Sequence, residues 1–540
     1  MAAAIALFAL GYNVWSVGIA SGFIDTVTHL GAQDEAVYTR EAIHMATRGE
    51  WLTPTYLGRF ILFKPPLLMW LSGISIKLFG IHALPIRLPA LLAGALICAI
   101  VFSIVRKSAS TGAAIAAVIL LVSNQLFHTM ARLNMTDILL TACAVTAFAF
   151  WLRDTRLETR LGFWGFSAGI GAAIMTKSIA GLLPLAAIVL SCILLPRTRR
   201  PEWKRSVYAC CAIAAIALPW HVYQLAIHWN WFIAEYLGVQ LVVFGAKPPQ
   251  TSQENQLWFY VVRMVTGDPV LTLLFVSSVI AFFHSWRRRV QPLAVLLFSW
   301  ILVMGGALFV FQYRSVQYTL PIIPALAIVS AVYSPMLSKR ALAFAIPLLA
   351  VAFAVKTAIP GKPWSLSFAG GTTLASAGPL SKYCEQNRSA ELIVLFPDDE
   401  FYSSVLPLPR VRYSWIDATD VSAQMEPHLR YLGVTLTPPQ FAALPKDEAL
   451  YRERLKSWDL DSPEPIGTAI VASSPDDMRE LILSHPEIDF YLPRDLLASI
   501  EEKVRLTRRV VETDTARVFL LSARHGDRST ARPPGWSCRM

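Results

Sequence analysis

Runs of about 20 apolar residues with almost no charge recur through the first two thirds of the chain, and no other feature restricts its folding as strongly. In hydrocarbon every backbone N–H and C=O must be satisfied within the chain, so runs of this length are expected to be membrane-spanning helices. They lie near residues 3–23, 84–105, 112–128, 137–152, 161–176, 179–196, 206–226, 268–285, 292–311, 318–335 and 341–357. The expected fold class is an α-helical polytopic membrane protein with about eleven transmembrane helices, in a range of roughly 10–13. The first run lacks a basic n-region and a small-x-small site, so it reads as a span and not as a cleaved leader. A hydrophobic share of 55% against 16% charged residues agrees with this class.

The net charge of +11 is unevenly spread. Residues 1–357 carry 27 Lys and Arg against 12 Asp and Glu, whereas residues 358–540 carry 21 against 25. The excess sits at Arg106-Lys107, at Arg153, Arg156 and Arg160, in RTRRPEWKR (197–205), at Arg287-Arg288-Arg289 and at Lys339-Arg340. Every second loop is basic, which is the positive-inside pattern. The charge forms no single face, so no nucleic-acid partner is expected. The basic loops read as cytoplasmic. The 24–66 loop, the 227–262 loop and the tail then lie on the other side, the periplasm if the cell is Gram-negative. The localisation expected is the bacterial inner membrane, multi-pass.

Four regions follow. Residues 1–357 form a transmembrane domain with a first periplasmic loop at 24–66, and 358–371 is a Pro/Gly-punctuated linker. Residues 372–525 read as a periplasmic α/β domain, and 526–540 as a disordered tail. Within the tail domain, ELIVLFP (391–397), TAIVAS (468–473) and ARVFLLSA (516–523) read as strands, PDDMRELILSH (475–485) and PRDLLASIEEKV (493–504) as helices. Five cysteines lie in spans and read as packing residues. Cys384 and Cys538 fall in the exported tail, where a disulfide could join them.

The first loop interrupts the apolar pattern with GAQDEAVYTREAIHMATRGEWLTPTYLGRFILFKPPLLMW (31–70). Asp34 precedes a segment that reads as an amphipathic helix on the membrane surface, with Glu35 and Tyr38 beside it. A carboxylate there suits the helix dipole, and a plain N-cap is the competing reading. Lys64 in KPP is held extended at the mouth of an apolar stretch, or merely snorkels. Lys177 in MTKSIAGLLP (175–184) lies on the side opposite the basic loops, where no topology signal needs it. Asp137 in ARLNMTDILLT (131–141) begins a span on that same side, as do Arg314 and Tyr318 in QYRSVQYTLPIIPAL (312–326). Carboxylates and cations gathered at one interface suit chemistry on an anionic lipid headgroup, with an Asp as proton acceptor and Lys opposite a departing phosphate.

The order DE…Y…KPPLL, IRLPALLAG (86–94), ARxxMxD, TKxxxGLLP and YxLPxxPAL resembles the polyprenyl-phosphate-sugar glycosyltransferases of the GT-C superfamily, over residues 30–335. It is most similar to the branch of the lipid A aminoarabinose transferases and the protein O-mannosyltransferases. The resemblance implies the GT-C fold. It implies catalytic roles for Asp34 and Asp137, with Asp34 as base and Asp137 positioning sugar or acceptor. It implies a donor lipid-phosphate site at Lys64, Lys177 and Tyr318, with Glu35, Tyr38 and Arg314 as further substrate contacts. Aminoarabinose transferases usually carry an acid, implicated in metal binding, immediately before the KPP lysine; this chain has Phe63. The 227–262 loop offers Lys247, and Arg263 follows it, without a clear match to the family's phosphate-binding cation.

The function expected is transfer of a sugar from a polyprenyl-phosphate carrier to an envelope lipid or glycan on the periplasmic face. The partners are the lipid-linked donor, that acceptor and the bilayer. No nucleotide is called for and no Gly-rich phosphate loop occurs; the cofactor expectation is none, with a divalent metal left open. A protein O-mannosyltransferase is the alternative within enzymes, and a transporter or flippase for lipid-linked sugars is the alternative of another class. A transporter would carry charges within spans and broken helices in corresponding halves.

Overall fold

A computed structural model describes residues 1–21, 33–56, 59–60, 62–80, 83–233, 236–237, 258–267, 269–286, 291–311 and 314–333, together with six strands between residues 392 and 522. The chain divides into two compact units. One is Met1–Ala20, Leu62–Ser75 and Leu84–Leu366; the other is Ser21–Ile61, Ile76–Ala83 and Ser367–Met540.

The first unit is helical. Its described elements are α1 (Ala2–Ser21), α3 (Leu67–Phe79), α4 (Ala83–Ser108), α5 (Thr111–Ser123), α6 (Gln125–Met130), α7 (Thr136–Arg153), α8 (Arg160–Lys177), α9 (Leu183–Leu194), α10 (Trp203–Ile227), α11 (Trp229–Phe232), α12 (Phe259–Gly267), α13 (Pro269–Trp286), α14 (Pro292–Val310) and α15 (Ile323–Tyr333). Two 3₁₀ turns matter for the site: Ser178–Leu182 between α8 and α9, and Val316–Ile322 ahead of α15. Six stretches among the described residues are long and apolar enough to cross a membrane, and four shorter apolar helices accompany them. The polytopic helical class is borne out. The span expected at 341–357, the linker, the two tail helices, Lys247, Cys384, Cys538 and the 526–540 tail lie outside the described residues.

Three elements differ from the sequence reading. The run 112–128 is two helices, because Asn124 leaves helical backbone at φ −69° and ψ 123° and its side chain accepts from Phe127 N–H at 2.9 Å, capping α6. The helix α3 was not foreseen as a separate element; at 13 residues it extends only about 20 Å and falls short of a bilayer core. The span read as 318–335 begins as a 3₁₀ turn, with Pro321 inside it and Trp300 Nε1–H donating to the Pro321 carbonyl at 2.8 Å.

Residues 160–194 could be taken for one continuous 35-residue span. A straight helix of that length would reach about 52 Å. Instead the Arg205 guanidinium donates to the carbonyls of Leu157 at 3.1 Å and Glu158 at 3.5 Å, so the chain after α9 returns to the start of α8. The two helices are therefore a hairpin. Its two basic loops share one end, and Lys177 lies at the other. At the basic end Asp154 accepts from Thr159 N–H at 2.6 Å and from the Thr159 hydroxyl at 2.8 Å, while that hydroxyl caps α8 through Gly162 N–H at 3.1 Å. Arg200 donates to the carbonyls of Leu195 at 2.6 Å and Ile193 at 2.8 Å, closing the end of α9.

Small residues let these helices approach closely, as membrane packing requires. A Cβ on Gly169 would stand 2.8 Å from the Ala147 backbone nitrogen, and one on Gly171 would stand 2.8 Å from Ile216. The tightest place is the hairpin tip, where a Cβ on Gly181 would lie 2.3 Å from the Ala173 carbonyl oxygen. Backbone cannot swing aside as a side chain can, so Gly181→Ala is expected to destabilise the unit by about 3 kcal/mol. Thermal unfolding in detergent measures this; an unchanged midpoint would contradict the hairpin packing. Outward, Val189, Ile193, Val207, Leu218 and Val222 are exposed, as lipid-facing positions should be.

The second unit contains α2 (Gln33–Arg48), a two-stranded ladder of β1 (Thr55–Tyr56) and β2 (Arg59–Phe60), and a six-stranded sheet. The sheet strands are β3 (Leu392–Phe396), β4 (Arg412–Trp415), β5 (Ala469–Val471), β6 (Asp489–Pro493), β7 (Arg509–Glu512) and β8 (Val518–Ser522), in the order β5-β4-β3-β6-β8-β7. Pairing is parallel from β5 to β6 and antiparallel at β6–β8 and β8–β7. The three strands read from sequence are all present. The other three are short or polar, as in RYSW, and lack an apolar run to mark them.

Candidate active site

Two ion-pairing residues far apart in sequence meet inside the first unit. The helix α7 begins at Thr136, so Asp137 lies in its first turn, where backbone N–H groups favour a carboxylate. The helix α8 ends at Lys177, where unsatisfied carbonyls favour a cation. Both side chains are buried, and Lys177 Nζ donates to Asp137 Oδ1 at 2.5 Å. Tyr318, from the 3₁₀ turn ahead of α15, places its ring 4.5 Å from the same nitrogen. The ammonium is thus held by one carboxylate oxygen and one aromatic face. An ammonium has three N–H donors, and Asp137 takes one of them.

The residues that carry this arrangement are themselves fixed. Trp300 braces the 3₁₀ turn from α14 and packs on Phe148 of α7, ring centroids 4.5 Å apart. Ahead of α7, Asn134 Oδ1 accepts from the Ser72 hydroxyl at 2.9 Å in the interior, tying the ARLNMTD segment to α3. Lys64, three residues before α3, is buried together with Pro65 and Pro66, and its nitrogen stands 5.6 Å from the Phe63 ring. The position preceding the lysine is therefore occupied by a ring. Among the described residues no three His, Cys, Asp or Glu side chains gather as metal ligands would. The residues present do not fit a metal at that place.

Arg314 sits beside Tyr260 of α12, whose phenol burial pushes up to about 12 while the Arg314 charge acts in the opposite direction. Asp34, Glu35 and Tyr38 share α2 in the second unit. Gln33 opens that helix, so Asp34 stands within the first turn and not at the cap. Asp34 is exposed, whereas Glu35 and Tyr38 are buried. The helix expected over this segment is present. Among its described positions, Glu41 and His44 are buried as well as Ala42, Ile43 and Met45.

Sequence reasoning therefore named Asp137, Lys177 and Tyr318, which the fold brings into contact, without foreseeing that they touch. It missed Arg87, buried in α4 within IRLPALLAG, and the Ser72–Asn134 bond. It also missed a polar chain through His221 and Tyr236. His221 Nε2 lies 2.5 Å from the Tyr236 hydroxyl. A lone His in an apolar run carries no signal that separates it from an ordinary core residue.

Comparison with known proteins gives a consistent picture. Residues 63–223 match the family model described as dolichyl-phosphate-mannose-protein mannosyltransferase. An uncharacterized protein of Aquifex aeolicus is 24% identical over 300 residues, covering 55% of this chain and 58% of its own. An undecaprenyl phosphate-alpha-4-amino-4-deoxy-L-arabinose arabinosyl transferase of Sodalis glossinidius is 26% identical over 317 residues, covering 56% of this chain and 54% of its own. The chain thus spans little more than half the length of these curated relatives. Among solved structures, ArnT from Cupriavidus metallidurans in the apo state superposes with a TM-score of 0.61 at 17% identity, over 95% of this chain and 98% of that one. The same protein bound to undecaprenyl phosphate gives 0.60 at 17% identity, covering 98% of each. The resemblance drawn from motif order is borne out: the chain has the fold of ArnT and is similar, through residues 63–223, to the dolichyl-phosphate-mannose-protein mannosyltransferases.

Proposed function

We propose that this protein is an integral-membrane glycosyltransferase that takes a sugar from an undecaprenyl-phosphate carrier and passes it to an envelope lipid or glycan. The observation that carries the reading is the Lys177 ammonium, buried, held by Asp137 and Tyr318, and set at the end of the bundle remote from the basic loops. If those loops face the cytoplasm, this end faces the periplasm.

In the reaction the acceptor oxygen bonds to the anomeric carbon as the bond from that carbon to the phosphate oxygen breaks. The electron pair leaves with the carrier phosphate, which gains one negative charge, and the acceptor proton passes to Asp34. Lys177 offers its remaining N–H donors to the phosphate oxygens, where charge grows. Asp137 then acts as a positioning residue, since its carboxylate fixes the ammonium. Lys64 is the second cation of the donor site, and Glu35, Tyr38 and Arg314 are assigned to substrate contact. A metal is given no step.

The test is transfer in vesicles holding the purified protein, undecaprenyl-phosphate-linked aminoarabinose and lipid A, read by mass spectrometry. A mass increase of one aminoarabinose on lipid A, with release of undecaprenyl phosphate, is the expected result. Absence of transfer to any lipid or glycan acceptor supplied would overturn the reading. The description of the matched family favours a second reading, a protein acceptor; sugar appearing on Ser or Thr peptides and not on lipid would select it.

A further inference from the structure

At the basic end of the first unit two short loops are built more tightly than a topology signal needs. Charge alone biases orientation, so loops with no other task could be loose. The α7–α8 loop is instead closed by Asp154 on Thr159, and Leu157, buried within it, takes a left-handed φ of 54°. Arg200 closes the α9–α10 loop on Leu195 and Ile193, and Arg197–Arg199 forms a 3₁₀ turn there. Arg205 joins the two loops through the Leu157 and Glu158 carbonyls. The backbone that carries the other cations is thus set before any partner arrives, which lowers the ordering cost of binding one.

Residues 153–160 and 195–205 together hold eight Arg and Lys against three carboxylates. Two of those acids are engaged within the loops, Asp154 by Thr159 and Glu158 by Arg156 at 3.1 Å. Glu202, just ahead of α10, is the third. Arg160, Arg197, Arg199 and Lys204 are exposed. Arg160 and Lys204 each lie within three residues of the Arg205 contact, so the fold gathers them although 44 positions separate them.

Large aromatic side chains border these cations. Trp164 stands one turn after Arg160 in α8, and Tyr208 one turn after Lys204 in α10; they are 58% and 62% exposed. Trp203 is 71% exposed, with the Lys204 nitrogen 6.0 Å from its ring. The two helices run side by side in the same direction, tied at their starts by Arg205 and in contact further on where Gly171 meets Ile216. Exposed Trp and Tyr beside cations match the boundary between lipid headgroups and acyl chains. The other basic helix end differs. Arg106 and Lys107 at the end of α4 are equally exposed, but the one aromatic residue in the preceding two turns, Phe102, is buried.

We propose that the α7–α8 and α9–α10 loops form a binding site for the headgroup of an anionic phospholipid in the leaflet at that end. Arg160, Arg197, Arg199 and Lys204 would hold the phosphodiester, and Trp164 and Trp203 the first carbons of the acyl chains. Guanidinium forks suit phosphate oxygens, and basic pockets between helices at the membrane surface suit anionic headgroups. The occupant is a lipid and not a free phosphate, because the cations adjoin exposed apolar side chains, Leu161 and Val207, that a free anion would leave uncovered.

The test is titration of the purified full chain in detergent with dioleoylphosphatidylglycerol or dioleoylphosphatidylcholine, read by native mass spectrometry. The wild type should retain the glycerol lipid at least about tenfold more tightly than the choline lipid. Arg197→Gln/Arg199→Gln and Arg160→Gln/Lys204→Gln should each weaken that retention about tenfold with an unchanged unfolding midpoint. Arg106→Gln/Lys107→Gln removes the same charge elsewhere at this end and should leave it within about twofold of wild type. Equal affinity for the two lipids would overturn the proposal. So would full retention in both loop variants, or an equal loss in the α4 variant, which would reduce the effect to overall charge. The measurement uses no sugar donor, so its outcome is separate from that of the transfer reaction.

Discussion

Lys177→Met is expected to abolish sugar transfer and to destabilise the folded protein by about 3–5 kcal/mol. The two losses have separate causes. Stability falls because Asp137, 2.5 Å from the ammonium and buried, is left as an unpaired charge in a low-dielectric interior. In the proposed mechanism transfer stops because the ammonium held by Asp137 and Tyr318 no longer faces the phosphate as it leaves. Adding Asp137→Asn separates them. The double variant Asp137→Asn/Lys177→Met holds no orphaned charge, so most of the stability should return while activity stays absent. Thermal unfolding in detergent and vesicle transfer assays, run on the same preparations, check both halves. Recovery of transfer in the double variant would show that the pair serves only the fold.

Asp34→Asn is expected to lower the rate of transfer by about 10²–10⁴-fold, the range for loss of a general base, with the unfolding midpoint unchanged. The stability half follows from the position of the residue. Asp34 is exposed in the first turn of α2, where Asn retains size and hydrogen-bonding capacity and gives up only the charge. The rate half follows from the assignment of the acceptor proton to this carboxylate. A variant as fast as wild type would remove Asp34 from the chemistry and leave it a dipole partner of its helix.

The helical class was readable because a bilayer imposes a length and a composition on whatever crosses it, and those are one-dimensional properties. Breaks inside apolar runs were not readable. Asn124 stops a helix by turning its side chain onto Phe127 N–H, yet in sequence it is one polar residue in an apolar run. The candidate site was legible as charges on the wrong side of a topology: Asp137 and Lys177 stood out because no positive-inside loop needed them. Their direct pairing was invisible across 40 residues, since it depends on α7 and α8 lying antiparallel in close contact. That contact is made by glycines whose spacing alone does not name a partner. His221 and Tyr236 left no trace at all, because their link exists only once the chain beyond α10 places a phenol beside the ring nitrogen. In the tail, apolar strands were recognised and polar ones were not, for the same reason that burial on both faces is the only strand signal a short run can display.

The hairpin of α8 and α9 also bears on how the protein is made. If the basic loops face the cytoplasm, α7 is made first with Asp137 at its far-side end. Lys177 comes later in the chain, at the tip of the next hairpin, and then meets a carboxylate already in place. Arg205, emerging last, then fastens the near end to Leu157 and Glu158 as a stop. The order of the three segments along the chain thus lets the ion pair form during insertion, so that neither charge has to remain in lipid alone.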